Sequence, residues 1–179
     1  MLDSSNPFSK IRSLHTAHYD LLHTTLNDFE SLFSVAGDPA VWVQHPERDR
    51  WRRDKFERFF KAALDNPSGC FTVVDRAKSQ VIGSTRYYGF QESPLSVRIG
   101  YTFFACEYWG ASANREVKKV MLAEAFSLVD LVFFDVGATN YRSRAAVEKL
   151  GARLSHVDDS GTVVYALDSK SSFLENPQT

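Results

Sequence analysis

A run of small residues, Gly110, Ala111, Ser112 and Ala113, lies between an aromatic segment and a predicted helix. Side chains of this size allow a ligand to approach the backbone closely. The first turn of a helix carries unpaired N–H groups and the positive end of the helix dipole, so it stabilises a phosphate without any basic side chain. The alternative is an ordinary strand-to-helix connection capped by Asn114, and the loop alone does not decide between the two.

A second polar turn follows the apolar run 131–136, and here Asn140 is suited to cap a helix. Ser143 precedes the apolar Val147 and Leu150 by four and seven residues. This spacing puts its hydroxyl on the inner edge of the first turn, where it suits a proton donor. The alternative is a serine that satisfies a free N–H of its own turn, and Asn140 has the same ambiguity.

The elements that must position these residues follow from apolar periodicity and turn residues. Three consecutive strands before the small-residue loop are predicted to form an antiparallel meander, and a closing strand pair ends the fold. The predicted strands are 19–25, 70–75, 81–90, 96–104, 131–136, 153–156 and 162–167. The predicted helices are a short one that starts near Asp28 and stops before Gly37, one at 48–65, one after residue 113 and one from 140 to 150, where Gly151 suits a left-handed cap.

Four segments, in this order, resemble the GNAT acetyltransferases, in particular the branch that includes the ribosomal-protein N-terminal alanine acetyltransferases. They are VIGSTRYYGF at 81–90, IGYTFF at 99–104, WGASANREVKKVML at 109–122 and NYRSRAAVEKLGA at 140–152. The resemblance implies an α+β fold (α/β/α-like), a single GNAT domain. Its mixed central sheet would have an antiparallel N-terminal meander and a splayed pair of strands, with helices on its flanks.

The resemblance also implies acetyl-CoA as co-substrate and assigns its contacts. The strand at 101–105 would splay from its neighbour and pair with the pantetheine arm, the loop at 110–114 would hold the pyrophosphate, and Ser143 would protonate the departing thiolate. The implied cofactor-binding residues are Phe103, Phe104, Ala105, Gly110, Ala111, Ser112, Ala113, Asn114, Asn140, Arg142 and Arg144.

Two positions depart from the family pattern. Ser112 stands where the superfamily loop has a glycine, which puts close backbone approach in doubt, although a serine hydroxyl could donate to phosphate instead. Cys106 stands where relatives often have a proline. A small buried hydrophobe is the favoured interpretation of Cys106 over a reactive thiol.

The resemblance predicts direct transfer of an acetyl group to a primary amine, either a protein N-terminus or a small-molecule amine, with no acyl-enzyme. Strand N–H groups near Phe104 would polarise the thioester carbonyl. Glu92, Glu107, Tyr87 and Tyr101 are candidates for the base, and Glu107 is the one chosen, against the alternative of a solvated loop charge. The alternative function is a non-catalytic acyl-CoA-binding sensor or scaffold with the same fold.

Two other patterns carry less weight. The segment 48–64 interleaves arginines with aromatic residues, as nucleic-acid binders can, but its apolar stripe favours a packed amphipathic helix. That stripe consists of Phe56, Phe59, Phe60, Ala63 and Leu64. The histidines at 15, 18 and 23 lack the spacing of a metal site, so no metal is predicted.

Composition is that of one globular domain: 179 residues, 44% hydrophobic, with a formal net charge of −1. That charge gives no drive toward nucleic acid or membrane. The chain has no apolar run long enough to span a membrane, and a cytoplasmic monomer or homodimer with free Cys70 and Cys106 is expected. The predicted division is a lead-in at 1–17, the acetyltransferase domain at 18–168 and a loose tail at 169–179.

Overall fold

Eight β-strands pair into one sheet in the computed structural model, which describes residues 5–170. They are β1 (Ser13–His15), β2 (Tyr19–His23), β3 (Cys70–Asp75), β4 (Gln80–Glu92), β5 (Leu95–Phe104), β6 (Leu131–Gly137), β7 (Arg153–Val157) and β8 (Thr162–Asp168). Their order across the sheet is β1-β2-β3-β4-β5-β6-β8-β7, and β5 with β6 is the parallel pair among antiparallel neighbours. This mixed sheet confirms the predicted α+β class.

Four α-helices of the described residues cover the two faces of the sheet: α1 (Phe29–Ala36), α2 (Arg53–Leu64), α3 (Ala113–Phe126) and α4 (Tyr141–Lys149). Side chains of α1 and α2 form one apolar cluster, and those of α3 and α4 belong to a second. Because successive strand residues point to opposite faces, Phe103 lies in the first cluster and Phe104 in the second. Among the described residues, no helix has both the length and the apolar character needed to cross a bilayer.

The parallel strands β5 and β6 stay together over only three residues each. Ser96, Val97 and Arg98 pair with Leu131, Val132 and Phe133, and no pairing continues beyond them. From there β6 remains paired with β8 as far as Gly137, while β5 remains paired with β4 through Phe104. A gap between the two strands therefore opens beyond Arg98, as the resemblance implied.

Two segments differ from the sequence-based expectation. The predicted lead-in contains a turn of 3-10 helix at Pro7–Lys10 and strand β1, because Phe8 and Leu14 are apolar enough to be buried in the core. Helix α2 begins at Arg53 instead of residue 48, since residues 48–52 form turns in which the Arg50 side chain is buried. The predicted tail lies outside the described residues from position 171 onward.

Most other boundaries agree with the pattern analysis. The stripe of α2 is buried or packed against the core as predicted, with Phe56, Phe60 and Ala63 buried. Gly151 follows α4 with a φ of 88°, which confirms the predicted left-handed cap.

Candidate active site

The backbone of β5 presents a hydrogen-bond donor to the gap between β5 and β6. The Ala105 N–H donates to the Ile82 carbonyl at 2.8 Å, toward β4. Because N–H groups of successive strand residues alternate between the two sides, the Phe104 N–H faces the gap. The Phe104 carbonyl accepts a hydrogen bond from the Trp109 indole at 3.1 Å, which ties the following loop to the end of the strand.

The loop before α3 has the open backbone that an anion-binding turn requires. Gly110 has a φ of 74°, and a Cβ built there would meet nothing within 4 Å, so the space above it is free. Ser112 precedes the first residue of α3 without a capping hydrogen bond from its side chain. Burial acts to raise the pKa of Glu116, but interactions with Ser112, His18 and Thr16 together outweigh it, so this pKa is lowered. Gly110 and Ala111 are exposed, whereas Ala113 is fully buried.

Helix α4 brings its first turn to the other side of the gap. The Asn140 side chain accepts a hydrogen bond from the Ser143 N–H at 3.1 Å, so Asn140 is a helix cap. Ser143 is half-buried. The Arg142 guanidinium stacks 3.7 Å above the Trp109 ring, directly beside the loop at Gly110. The two motifs singled out in the sequence therefore meet through Trp109 and Arg142.

Three other predicted cofactor contacts have partners inside the protein. Arg144 donates to the Tyr165 hydroxyl at 3.0 Å and to the Ala138 carbonyl at 3.2 Å. The Phe103 side chain packs in the core cluster with Trp42. The N–H of Ala105 is used within the sheet.

The four residues considered for the base differ in burial and in their position relative to the cleft. Tyr87 is fully buried, and its hydroxyl donates to the Met121 carbonyl at 2.7 Å. Glu92 is exposed near the end of β4. Glu107 is exposed on a turn of 3-10 helix, where its charge acts on Lys78. Tyr101 lines an open cleft beside α2, which neither glutamate lines.

A cluster of three polar side chains, which the sequence analysis did not predict, lies at the point where β5 and β6 part. The Tyr88 hydroxyl donates to Asp135 Oδ2 at 3.0 Å, and Arg98 Nε donates to the same oxygen at 2.9 Å. Asp135 Oδ1 is enclosed without a hydrogen-bond partner among the described residues. Burial and the Asp135 charge raise the pKa of Tyr88. The available signal was a single carboxylate within the apolar run 131–136.

Tyr88 reaches this position because Gly100 leaves room for it. A Cβ at Gly100 would lie 3.0 Å from the Tyr88 ring and 3.2 Å from its hydroxyl oxygen. Tyr88 also lines the cleft, where its ring lies edge-on to Tyr101, 4.9 Å away. The cleft has a volume of about 640 Å³ and is lined in part by Phe59, Arg50 and Arg86. It therefore reaches the mouth of the gap between β5 and β6.

Comparisons with known proteins agree with this arrangement. A search of curated proteins found no match. Solved structures that share the fold include a GCN5-related N-acetyltransferase from Brucella melitensis, a GNAT-family acetyltransferase from Bacillus anthracis, and Mycobacterium smegmatis RimJ in complex with CoA-disulfide. Their identities to this chain are 17%, 15% and 12%, with TM-scores of 0.75, 0.72 and 0.72. The alignments cover 88%, 87% and 96% of this chain and 78%, 98% and 92% of theirs.

The family model described as an acetyltransferase (GNAT) domain matches residues 20–153. The matched range runs from β2 to the first residue of β7, so it includes the parted strands, the loop at Gly110 and the cap at Asn140. Because the match covers well over half of the 179 residues, the chain belongs to the GNAT acetyltransferase family, whose enzymes use acetyl-CoA as co-substrate.

Proposed function

We propose that the protein is an acetyl-CoA-dependent N-acetyltransferase that moves the acetyl group directly to a primary amine. The observation that carries the proposal is the gap between β5 and β6, which has the Phe104 N–H on one side and opens beside Tyr88 into a cleft. A thioester at that gap and an amine in that cleft would meet at the place where the strands part.

The residues around the gap fit acetyl-CoA. The free space above Gly110 and the N-terminus of α3, a helix of 14 residues, suit a pyrophosphate. Arg142, stacked on Trp109, supplies a cation beside that loop. Asn140 keeps its side-chain amide N–H₂ for the pantetheine arm, because its oxygen is used in capping. When bound, acetyl-CoA supplies an acetyl group as an activated thioester.

Groups of the protein then stabilise the developing charge and transfer the protons. Phe104 N–H donates to the carbonyl oxygen as negative charge develops there. The Tyr88 hydroxyl oxygen accepts a proton from the acceptor amine while its own proton moves along the hydrogen bond to Asp135. The raised pKa of Tyr88 means that it serves as a relay and does not ionise. Ser143 donates a proton to the departing sulfur and regains one from solvent water, and Asp135 releases to water the proton that it received. In this proposal Tyr88 and Asp135 take the role predicted for Glu107.

The finer assignments of the sequence analysis remain part of the proposal. The branch resembling the ribosomal-protein N-terminal alanine acetyltransferases is supported by the four sequence segments, and RimJ shares the fold. The cytoplasmic location and the monomeric or homodimeric state stay predictions.

Calorimetric titration of acetyl-CoA, desulfo-CoA and adenosine diphosphate, followed by thiol-release assays on a panel of peptides and small amines, tests this function. We expect saturable acetyl-CoA binding and amine-dependent thiol release. Tyr88→Phe, which removes the relay hydroxyl, should lower kcat about 10²-fold with an unchanged Kd for acetyl-CoA. Tyr19→Phe, in β2 away from the gap, is the matched control and should leave kcat unchanged. Binding without release on any amine would instead favour the non-catalytic acyl-CoA sensor.

A further inference from the structure

Two arginines of the cleft are almost completely buried. Arg50, in the turns before α2, and Arg86, on β4, each expose 4% of their surface. Each has a buried Nε atom without a hydrogen-bond partner among the described residues. Burying a guanidinium is expensive unless its donors are satisfied, so the unfilled donors call for an explanation.

Arg86 is held by aromatic rings in place of a counter-ion. Its guanidinium carbon lies 3.7 Å from the centre of the Tyr101 ring and 4.9 Å from that of Phe59. Within residues 5–170 it makes no ion pair. Stacking on ring faces leaves the edge of the guanidinium, with its N–H donors, free to bind an acceptor. Burial is the main cause that lowers the pKa of Arg86, and repulsion from Arg50 adds to it.

Arg50 is only partly satisfied. It pairs with Glu47 at 2.7 Å, but the Glu47 side chain is 67% exposed. Its Nη1 atom lies 3.3 Å from His45 Nε2, and the Glu47 N–H lies 3.1 Å from His45 Nδ1. Burial and the Arg50 charge lower the pKa of His45 to about 4, so its ring is neutral near pH 7. A neutral imidazole has one acceptor nitrogen, so it satisfies only one of these two donors.

Other charges of the cleft do not neutralise this pair. Besides Arg50, Arg86 and Glu47, the charged residues that line the cleft are Lys55, Arg58 and Asp49. Lys55 pairs with Asp49 at 3.2 Å. Arg58 pairs at 3.5 Å with Asp54, which lies outside the cleft. The cationic side chains that line the cleft therefore outnumber its carboxylates. Among these, Arg86 is the buried cation that has no carboxylate partner within the described residues. Arg50 and Arg86 lie against the same ring, Phe59, so one bound anion is within reach of both.

We propose that the acceptor substrate carries an anionic group, a carboxylate or a phosphate, which Arg86 and Arg50 bind in this cleft while its amine reaches the Tyr88 hydroxyl. This inference rests on the proposed function and names the substrate class of the same site. Planar guanidinium groups match the oxygens of both anions with paired, charge-assisted hydrogen bonds. A cleft of about 640 Å³ has the size of a small-molecule site. Polycationic amines, such as polyamines and aminoglycosides, are disfavoured because the buried positive charge repels them.

A matched series of amines tests the inference. The series contains ω-amino acids from glycine to 6-aminohexanoate, ω-aminoalkyl phosphates of the same lengths, and n-alkylamines without an anion. Each is assayed by thiol release with saturating acetyl-CoA and by calorimetric binding to the free protein. We expect at least one anionic arm to react with a kcat/KM about 10- to 100-fold above the alkylamine of equal length, the size expected for charge-assisted hydrogen bonds. The preferred arm separates carboxylate from phosphate, and the preferred length measures the distance from Arg86 to Tyr88.

Arg86→Gln should remove that preference, with a KM for the anionic amine raised about 10- to 100-fold and an unchanged KM for the alkylamine. Arg86→Lys, which keeps the charge without the fork of donors, should be intermediate. Arg52→Gln removes an exposed arginine outside the cleft and should change neither value. Arg86→Gln should also melt at a higher temperature than wild type without substrate, because a purely ligand-binding charge is unpaired in the free protein. If this variant does not fold, Arg50→Gln and Arg86→Lys serve in the same assays.

Equal kcat/KM values for anionic and neutral amines would overturn the inference, and so would an Arg86→Gln variant that changes the KM of both kinds of amine alike. Either result would leave the proposed transferase activity intact. If no amine releases thiol, the proposed function fails, and calorimetry with the same anionic amines and with inorganic phosphate still decides the inference. Binding that is lost in Arg86→Gln would support an anion site, and absence of binding to the wild-type protein would contradict it.

Discussion

At the scale of single residues, the structure narrows the ambiguity at Asn140 and Ser143. The Asn140 oxygen is used as a helix cap, and the N–H it accepts from is that of Ser143. The first turn of α4 therefore does not need the Ser143 hydroxyl to satisfy that N–H, and this hydroxyl has no hydrogen bond of its own among the described residues. A half-buried hydroxyl with a free proton fits a donor to the departing thiolate better than a structural role.

Ser143→Ala should therefore lower kcat at saturating acetyl-CoA about 10²-fold and change the Kd for acetyl-CoA less than threefold. Steady-state thiol release and calorimetry measure the two quantities. Ser34→Ala, which removes an exposed hydroxyl from α1, is the matched control and should change neither kcat nor the Kd for acetyl-CoA. Full turnover of Ser143→Ala, with a lowered melting temperature, would assign the hydroxyl to the stability of α4 instead.

At the scale of elements, the site depends on a strand that loses its neighbour just before a helix begins. The sheet continues through β6 and β8, so the gap between β5 and β6 exposes backbone donors without breaking the fold. Tyr101, within the segment of β5 that has parted from β6, has a φ of 51°, and the pairing of β5 with β4 shifts register there. Such strain at a non-glycine residue is typical of a functional position.

The loop that follows β5 gives a prediction at this scale. Gly110→Ala places a side chain at a φ of 74°, which costs about 1–2 kcal/mol of backbone strain, and puts a methyl group in the space assigned to the pyrophosphate. Calorimetry should show acetyl-CoA affinity reduced about 10-fold or more. Gly161→Ala is the matched control, because Gly161 also has a positive φ, 82°, and open space, but lies in the turn between β7 and β8. It should lower stability similarly and leave the affinity unchanged. Equal affinities in both variants would remove Gly110 from the cofactor site.

At the scale of the whole molecule, the cleft beside α2 lies on one face of the sheet and a buried cluster of polar side chains lies on the other. Lys118 of α3 is enclosed against the sheet, where its amine donates to Thr102 at 2.6 Å and to Thr85 at 3.3 Å. Burial lowers the pKa of Lys118 from 10.5 to about 7. Thr85 of β4 contacts Lys118 on this face, and the next residue of the strand, Arg86, lines the cleft on the other face. A buried cation therefore lies against each face of β4.

The lowered pKa of Lys118 sets a pH dependence of stability. Between pH 7 and 10.5 the unfolded chain keeps the Lys118 proton and the folded protein releases it, so this group makes stability rise with pH over that window. Below pH 7 the charged amine is buried and its full cost remains. Lys118→Met should therefore increase the free energy of unfolding by about 1–3 kcal/mol at pH 6, and by much less near pH 10.

Urea unfolding of wild type and Lys118→Met at pH 6, 8 and 10 measures this difference. Lys149→Met, at the exposed end of α4, is the control and should show no such trend. A stability difference that stays constant from pH 6 to 10 would show that Lys118 does not release its proton on folding.

Patterns of neighbouring residues were enough to predict most helices and strands and to single out the small-residue loop and the cap at Asn140. The short apolar runs of β3 and β8, the apolar stripe of α2, the small-residue loop before α3 and the cap at Asn140 are patterns of neighbouring residues, so they are visible in one sequence. The start of α2 was placed five residues too early because the pattern does not show that Arg50 turns inward.

Only the tertiary structure decided which side chains meet at the cleft beside α2 and at the gap next to it. Tyr88, Gly100 and Asp135 lie on three different strands, and their contact depends on the register of β4 with β5 and on the point where β6 departs. Arg50 and Arg86 meet at Phe59 although 35 intervening residues separate them in the chain. A sequence determines which face of its own strand or helix a residue occupies, because that depends on local periodicity. Which distant residue lies opposite depends on the packing of the whole sheet, and that is where the groups proposed to select the substrate were found.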